Sequence, residues 1–507
     1  MINFWTTETT NTLLNKSGDH PLDLIFCSGE HPQFSSRAEV FKDALARRIF
    51  DRARLIKFML DDMTEEWGSP DWPKIGACAR VLTTILSTPA PRMVALNLIY
   101  TFDFERMPEH YKPAPSINLC HRDMSSADYA SLRILKLDSW ITIAPDDIFY
   151  RPPLVSLTLS RGVYFDTIGE FLDVLARLPT LRSLKLYNED DDIFEREDPF
   201  GEDPMKEAAL RYGREPGSVA LPSLELFKFG VSRLALIVDI MRWVSLPRST
   251  RLVFTRVLYH RDMPEISPRS IQEEVVGLCD TLKNHLNSQE RKGDPTFCGL
   301  GGLVATAEGP WVDEGRSTCT FRIRAHSLYP PDARTTPLID ISLNYYMGFL
   351  YDNIMLEFAK RLPFIHGNES TRLALTLVDA PSNTPPPSRT IIYSADVDEP
   401  AAAMHSSWLS ACDVLKSAGT VSSFSPASND TIMPNLAILD LHGPIPLPTH
   451  HLFEVYVENI AGPLCPRIQA GTLREVNISS DGPMYRESIR VLNERLGGVV
   501  RWQGTLV

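Results

Sequence analysis

The stretch LARLPTLRSLKL, residues 175–186, decides how this chain is read. Its first residues close an amphipathic segment, DTIGEFLDVLARL over 166–178, for which Asp166 serves as N-cap. Pro179 stops that helix and biases Leu178 toward extended backbone. The pattern then changes. Leu181, Leu184 and Leu186 form the phrase Leu-x-x-Leu-x-Leu, whose last two leucines alternate as in a strand with one buried face. Helix, break and strand follow one another in a single short run.

The phrase recurs. It is found as Leu132/Leu135/Leu137, Leu154/Leu157/Leu159 and Leu436/Leu439/Leu441. Looser forms are Leu55/Phe58/Leu60, Met93/Leu96/Leu98, Leu224/Phe227/Phe229, Leu338/Ile341/Leu343 and Leu473/Val476/Ile478. Residues 250–257, 319–324, 372–377 and 390–394 read as further strands, and Leu221-Pro222 repeats the break of Leu178-Pro179. Amphipathic helices are expected over 39–53, 166–178, 234–244, 270–286, 351–362 and 401–415. A repeat whose units bury their apolar edges only against neighbours predicts an α/β solenoid of about ten to thirteen irregular leucine-rich repeats. Its sheet is curved, mostly parallel and on the inside, because strand-to-strand connections pass through crossovers; helices lie outside. The expected organisation is a tail or cap over residues 1–19 and one solenoid over 20–507, with inserted loops at about 188–220, 258–270, 288–317 and 380–400.

Composition bounds the function. The chain has 507 residues, 43% hydrophobic and 23% charged, with a net charge of −13. That balance argues against general attraction to nucleic acid or anionic membrane. No run approaches the length of a membrane span, and the polar N-terminus does not read as a secretory signal, so cytoplasm or nucleus is expected. The eight cysteines form no C-x-x-C pair and read as buried small side chains; no metal or cofactor is expected. The acidic run Glu189–Asp192 lacks the order of a calcium loop. Two His-Arg-Asp-Met copies, at 121–124 and 260–263, lack the downstream Asn of a kinase loop, and CGLGG at 298–302 lacks the Gly-Lys-Ser/Thr of a phosphate loop. Neither a G-x-S-x-G elbow nor an H-E-x-x-H helix occurs, so enzyme activity is not expected.

The stretches LARLPTLRSLKL (175–186), ALPSLELFKF (220–229) and MPNLAILDLHG (433–443), together with SGDHPLDLI (17–25), resemble the repeat region of fungal F-box/leucine-rich-repeat proteins. The resemblance implies that the repeats hold a protein destined for ubiquitination, while an F-box upstream docks on the adaptor of a cullin-based ligase. No Leu-Pro-x-Glu opening precedes Ser17, so the resemblance covers the repeat region and the F-box is expected to be missing. The expected function is non-catalytic recognition of another protein, as part of a ubiquitin-ligase substrate receptor. A repeat-only scaffold or adaptor without a link to ubiquitin is the alternative, and a cullin-ligase adaptor is a partner only if an F-box lies upstream.

In such a solenoid the residues alternating with the leucines face the concave surface. They are Lys136 and Asp138, Thr158 and Ser160, Lys185 and Tyr187, and Lys228 in the first half. In the second half they are Asp340, Ser342 and Asn344, Asp440 and His442, and Glu475, Asn477 and Ser479. Lys136, Lys185 and Lys228 share one register and read either as a basic row suited to an acidic partner segment or as solvated strand residues.

Overall fold

The computed structural model describes residues 2–3, 7–27, 49–60, 88–100, 117–119, 129–138, 141–143, 150, 153–160, 165, 168–187, 217–231, 234–247, 249–256, 268–287, 302–313, 316–326, 337–346, 371–379, 436–442, 453–479, 486–502 and 505–506. The helices expected over 351–362 and 401–415 and the strand expected over 390–394 lie outside these residues, as does most of the one expected over 39–53. The chain forms an α/β fold whose sheet is mostly parallel. It divides into two compact units: one comprises residues 1–232 and 239–250, the other 233–238 and 251–507.

In the first unit the strands are β1 (Ile2–Asn3), β2 (Leu22–Cys27), β3 (Ala53–Leu60), β4 (Ala95–Tyr100), β5 (Ile117–Leu119), β6 (Ile134–Asp138), β7 (Ile141–Ile143), β8 (Ser156–Ser160), β9 (Ser183–Tyr187), β10 (Val219–Ala220), β11 (Leu226–Val231) and β12 (Val244–Ser245). The main sheet runs β1-β2-β3-β4-β6-β8-β9-β11, and every pairing in it is parallel. Spatial order thus follows chain order, as it must when each crossover returns the chain beside the strand it has just left. Short parallel pairs β5–β7 and β10–β12 accompany it.

The reason each strand starts where it does is local. The first leucine-type residue of a phrase donates its N–H to the carbonyl three residues back: Met93 to Ala90 (2.9 Å), Leu132 to Tyr129 (3.0 Å), Leu181 to Leu178 (3.1 Å) and Leu224 to Leu221 (3.1 Å). In three of these turns the second residue is a proline, Pro91, Pro179 or Pro222, whose fixed φ suits that position. The next residues lock each strand to the one before it, as Arg133 to Val94 (2.8 Å), Val155 to Arg133 (2.7 Å) and Arg182 to Val155 (2.8 Å). Two threonine hydroxyls, Thr180 Oγ1 to Leu154 O (3.1 Å) and Thr250 Oγ1 to Leu224 O (2.7 Å), tie the turn to the first leucine of the preceding phrase.

The register then stacks the apolar side chains in columns. Leu24, Ile56, Leu96, Leu135, Leu157, Leu184 and Phe227 form one, and Phe58, Leu98, Leu137, Leu159, Leu186 and Phe229 another; none is more than 2% exposed. Burial of each such side chain stabilises the fold by roughly 1.5–3 kcal/mol. The first helix α1 (Thr7–Lys16) precedes β2, and α2 (Ile168–Ala176) buries Phe171, Leu172, Val174 and Leu175. Tyr150, Phe165 and Phe171 form an aromatic chain with centroids 6.2 and 5.2 Å apart.

One expected phrase is displaced. In β3 the buried trio is Ala53/Ile56/Phe58, and Leu55 is half-exposed, so the reading Leu55/Phe58/Leu60 does not describe this strand. A small alanine takes the first leucine's place, and the true phrase is therefore hidden behind a leucine that points the other way.

The second unit holds β13 (Arg251–Arg256), β14 (Gly302–Asp313), β15 (Arg316–His326), β16 (Ile339–Tyr346), β17 (Thr371–Asp379), β18 (Leu436–His442), β19 (Glu475–Ser479), β20 (Val500–Trp502) and β21 (Thr505–Leu506). Its order is β13-β16-β15-β14-β17-β18-β19-β20-β21. The pairings β14–β15, β15–β16 and β20–β21 are antiparallel and the rest parallel. The segment expected as an inserted loop over 288–317 therefore contains β14 and the start of β15. Two residues, Glu314-Gly315, separate these strands in sequence, and so short a connection permits antiparallel pairing without a crossover.

The helix α3 (Leu234–Trp243) starts beside α4 (Pro268–Asn287): the Leu234 N–H donates to Glu274 Oε2 at 2.9 Å, which satisfies a helix-end donor. Two further helices, α5 (Phe453–Gln469) and α6 (Arg486–Arg495), precede β19 and β20. Gly471, with φ of 71°, ends α5 in the left-handed conformation, and the Thr472 N–H returns to Arg467 O at 3.0 Å. No helix among the described residues is long and apolar enough to cross a membrane.

Candidate functional site

Alternation along each strand of the first unit turns one set of side chains to the buried columns and the other to the opposite face of the sheet. On that opposite face the register brings Ile25, Lys57, Asn97, Lys136, Thr158, Lys185 and Lys228 into a single column. The residues from Lys57 to Lys228 are all half-exposed. Lys136, Lys185 and Lys228 are the row the sequence predicts. Lys57 is a fourth member that the displaced phrase concealed; in the correct register it stands between Ile56 and Phe58 as Lys136 stands between Leu135 and Leu137.

The adjoining column on the same face is Met59, Ile99, Asp138, Ser160, Tyr187 and Gly230. On the other side lie Leu55, Ala95, Ile134, Ser156, Ser183 and Leu226. Ile134 is 41% exposed, an unusual position for isoleucine on a sheet. The lysines are thus bordered by apolar and small polar side chains.

Two of the four lysines have neighbours that steady them. Lys136 Nζ is 3.6 Å from Asp138 Oδ2, and Asp138 is only 7% exposed. Asp138 therefore supports the column more than it offers an open acceptor. The Lys228 ammonium stands 4.9 Å from the centroid of the Tyr187 ring, a cation–π contact that holds the amine at the surface. Among the described residues Lys57 and Lys185 have no carboxylate partner.

The predicted residues of the second unit are arranged otherwise. Asp340, 5% exposed, receives two hydrogen bonds from Arg322, at 2.8 Å from Nε and 2.8 Å from Nη2, with Arg251 Nη2 at 3.8 Å. Ser342 is half-exposed and lies opposite Arg322. Asp440 accepts from Asn477 Nδ2 at 2.8 Å, and Glu475 Oε2 is 3.4 Å from Arg501 Nη2. Asn344, His442 and Ser479 occupy the strand positions expected of them, with Asn344 opposite Thr320 and His442 opposite Ser479. The sequence reading offers these groups as acceptors for a partner; the structure shows Asp340, Asp440 and Glu475 paired within the sheet. Arg322 stands in the strand expected over 319–324, Asn477 in the phrase of Leu473, and Arg501 in a strand the phrases do not include.

No group of three or more His, Cys, Asp or Glu residues among the described residues is placed to hold a metal ion. One carboxylate is unusual in its titration: burial pushes Asp239 up to about 6, against the pull of Arg242, whose Nη1 is 3.2 Å away. No protein-family model matches the chain, and no curated protein does.

Proposed function

We propose that this protein is a non-catalytic recognition module of irregular leucine-rich-repeat solenoid type, and that the first unit grips a partner protein with the sheet face opposite the leucine columns. The supporting observation is the unbroken register of that sheet. Parallel pairings from β2 to β11 keep one face closed and the other half-exposed, so side chains from consecutive units form one continuous surface. Such a surface suits a macromolecule better than a small substrate, which is usually enclosed in a concave pocket.

The resemblance in the repeat stretches extends this reading to the substrate-holding part of an F-box-type ubiquitin-ligase receptor, working in the cytoplasm or nucleus. Two measurements test it. Affinity capture with the full chain, followed by lysine-directed crosslinking, is expected to link a partner protein through Lys57, Lys136, Lys185 or Lys228. Crosslinks confined to other lysines would remove this face from the proposal. Co-purification of a cullin adaptor supports the ligase branch, and its clean absence leaves the repeat-only scaffold.

A further inference from the structure

We infer that the lysine column of the first unit selects an extended acidic segment of its partner, lying across the strands from Lys57 to Lys228. This inference rests on the recognition reading above and adds the partner's chemistry. Three observations carry it: the like charge at four positions of one register, the absence of any acidic side chain from that column, and flanking columns that mix apolar with small polar side chains and hold one acid, the buried Asp138. Four ammonium groups aligned in a sheet repel one another, and nothing in the packing of a strand requires lysine there; β4 and β8 carry Asn97 and Thr158 at the same position. A neutralising partner removes that repulsion, and electrostatic complementarity of this kind sets specificity and approach rate.

The spacing describes the ligand. Strands lie about 4.8 Å apart, so the column from β3 to β11 spans about 24 Å over five steps. Lys57 to Lys136 and Lys136 to Lys185 are each two strands, about 9.6 Å. An extended segment in the polyproline II conformation brings every third side chain to the same side about 9.3 Å further on. Acidic residues at every third position therefore meet Lys57, Lys136 and Lys185, the last flanked one strand further on by Lys228, and aliphatic residues between them meet Leu55, Ile134 and Leu226 on one border and Met59 and Ile99 on the other. A nucleic acid is a poorer fit: the row is one residue wide, its borders are apolar or small polar and include the acid Asp138, and the chain's net charge is −13.

The test uses the full chain and synthetic ten-residue peptides followed by fluorescence anisotropy. The first peptide has glutamate at every third position with alanine and valine between; the second has the same composition with its glutamates contiguous; a single-stranded oligonucleotide of equal charge is the third probe. Wild type is expected to bind the first peptide about 3-fold more tightly than the second, and about 10-fold more tightly than the oligonucleotide. Exchange of Lys57, Lys136, Lys185 and Lys228 together for glutamine is expected to weaken peptide binding about 30-fold or more, and exchange of all four for arginine to restore it within about 3-fold. Equal binding by the glutamine variant, or preference for the oligonucleotide, would overturn the inference. The two levels separate cleanly. If the glutamine variant still captures its partner, and a photoreactive residue placed at Thr158 of this face still crosslinks to it, recognition stands and the acidic preference falls. If no partner contacts the face at all, the recognition reading falls with it.

Discussion

The two units build their sheets by the same rule and use the outward face differently. In both, leucine-type columns close one side: Leu157 and Leu159 in the first, Leu439 and Leu441 in the second, all 1% exposed or less. On the opposite face of the first unit the charges along one column have the same sign. In the second unit each acid among Asp340, Asp440 and Glu475 already has a donor within the sheet. Paired charges need no external partner, and their energy is spent on register. Half-exposed charges of one sign, even where one of them is paired as Lys136 is with Asp138, contribute little to folding and are free to contribute to binding. The contrast is between a face whose acids are satisfied within the sheet and a face whose column carries charges of one sign.

The largest expected effects test the common element. Leu157→Ala and Leu439→Ala each remove a fully buried side chain from the middle of a column, and each is expected to cost about 3 kcal/mol in urea unfolding. A loss in one unit several times that in the other would show that the two columns are not equivalent.

Next come the faces themselves. Asp340→Ala leaves Arg322 and Arg251 without their shared carboxylate in a site that is 5% exposed at the aspartate. Because both arginines are partly solvated, the expected loss is about 2 kcal/mol rather than the larger figure for a fully buried pair. Exchange of the four first-unit lysines for glutamine is expected to leave stability within about 0.5 kcal/mol, or to raise it slightly by relieving repulsion. A comparable destabilisation by both changes would erase the distinction between the faces.

Much of this was legible in the residues, and what was not has identifiable causes. Where the first leucine is kept, as at Leu132, Leu181, Leu224 and Leu473, the phrase gives strand, face and register together. Where Ala53 replaces it, the pattern locks onto Leu55 instead, and Lys57 drops out of the row. The helix α5 was hidden by Pro463 and Pro466 within it, and α6 by its charged sequence, RESIRVLNER. Of the hairpin, β14 and the first residues of β15 read as a loop because Gly302, Gly309, Pro310 and Gly315 outweigh a weak alternation, while residues 319–324 of β15 read as a strand. The site was legible only as far as the phrases were: a column is a property of register, and the donors that neutralise Asp340 and Glu475 come from other strands.

Asp239 offers a third arrangement, a buried carboxylate with an insufficient partner, whose effect depends on pH. Burial raises it to about 6 while Arg242 opposes the shift. A group that holds its proton more tightly when folded favours the native state at low pH. Its contribution is largest below the unfolded value near 4 and is lost as pH rises through about 6. Wild type is expected to lose about 2 kcal/mol relative to Asp239→Asn between pH 4 and pH 7, measured as the difference in unfolding free energy at the two values. A flat difference across that range would show that Arg242 offsets the burial of the aspartate in full.

The smallest effect bears most directly on the comparison, because it sets one contact of each face side by side. A double-mutant cycle on Asp440 and Asn477 in the second unit reports a hydrogen bond of 2.8 Å to a charged acceptor, with an expected coupling of about 1 kcal/mol. The same cycle on Lys228 and Tyr187 in the first unit reports a half-exposed cation–π contact at 4.9 Å, with an expected coupling of about 0.5 kcal/mol. The order matters more than either value. A larger coupling at Lys228 would mean that this lysine is fixed for the benefit of the fold. A smaller one leaves its charge available, and a peptide that neutralises it should then compete with the Tyr187 ring, lowering the coupling further when the cycle is repeated with the acidic probe bound.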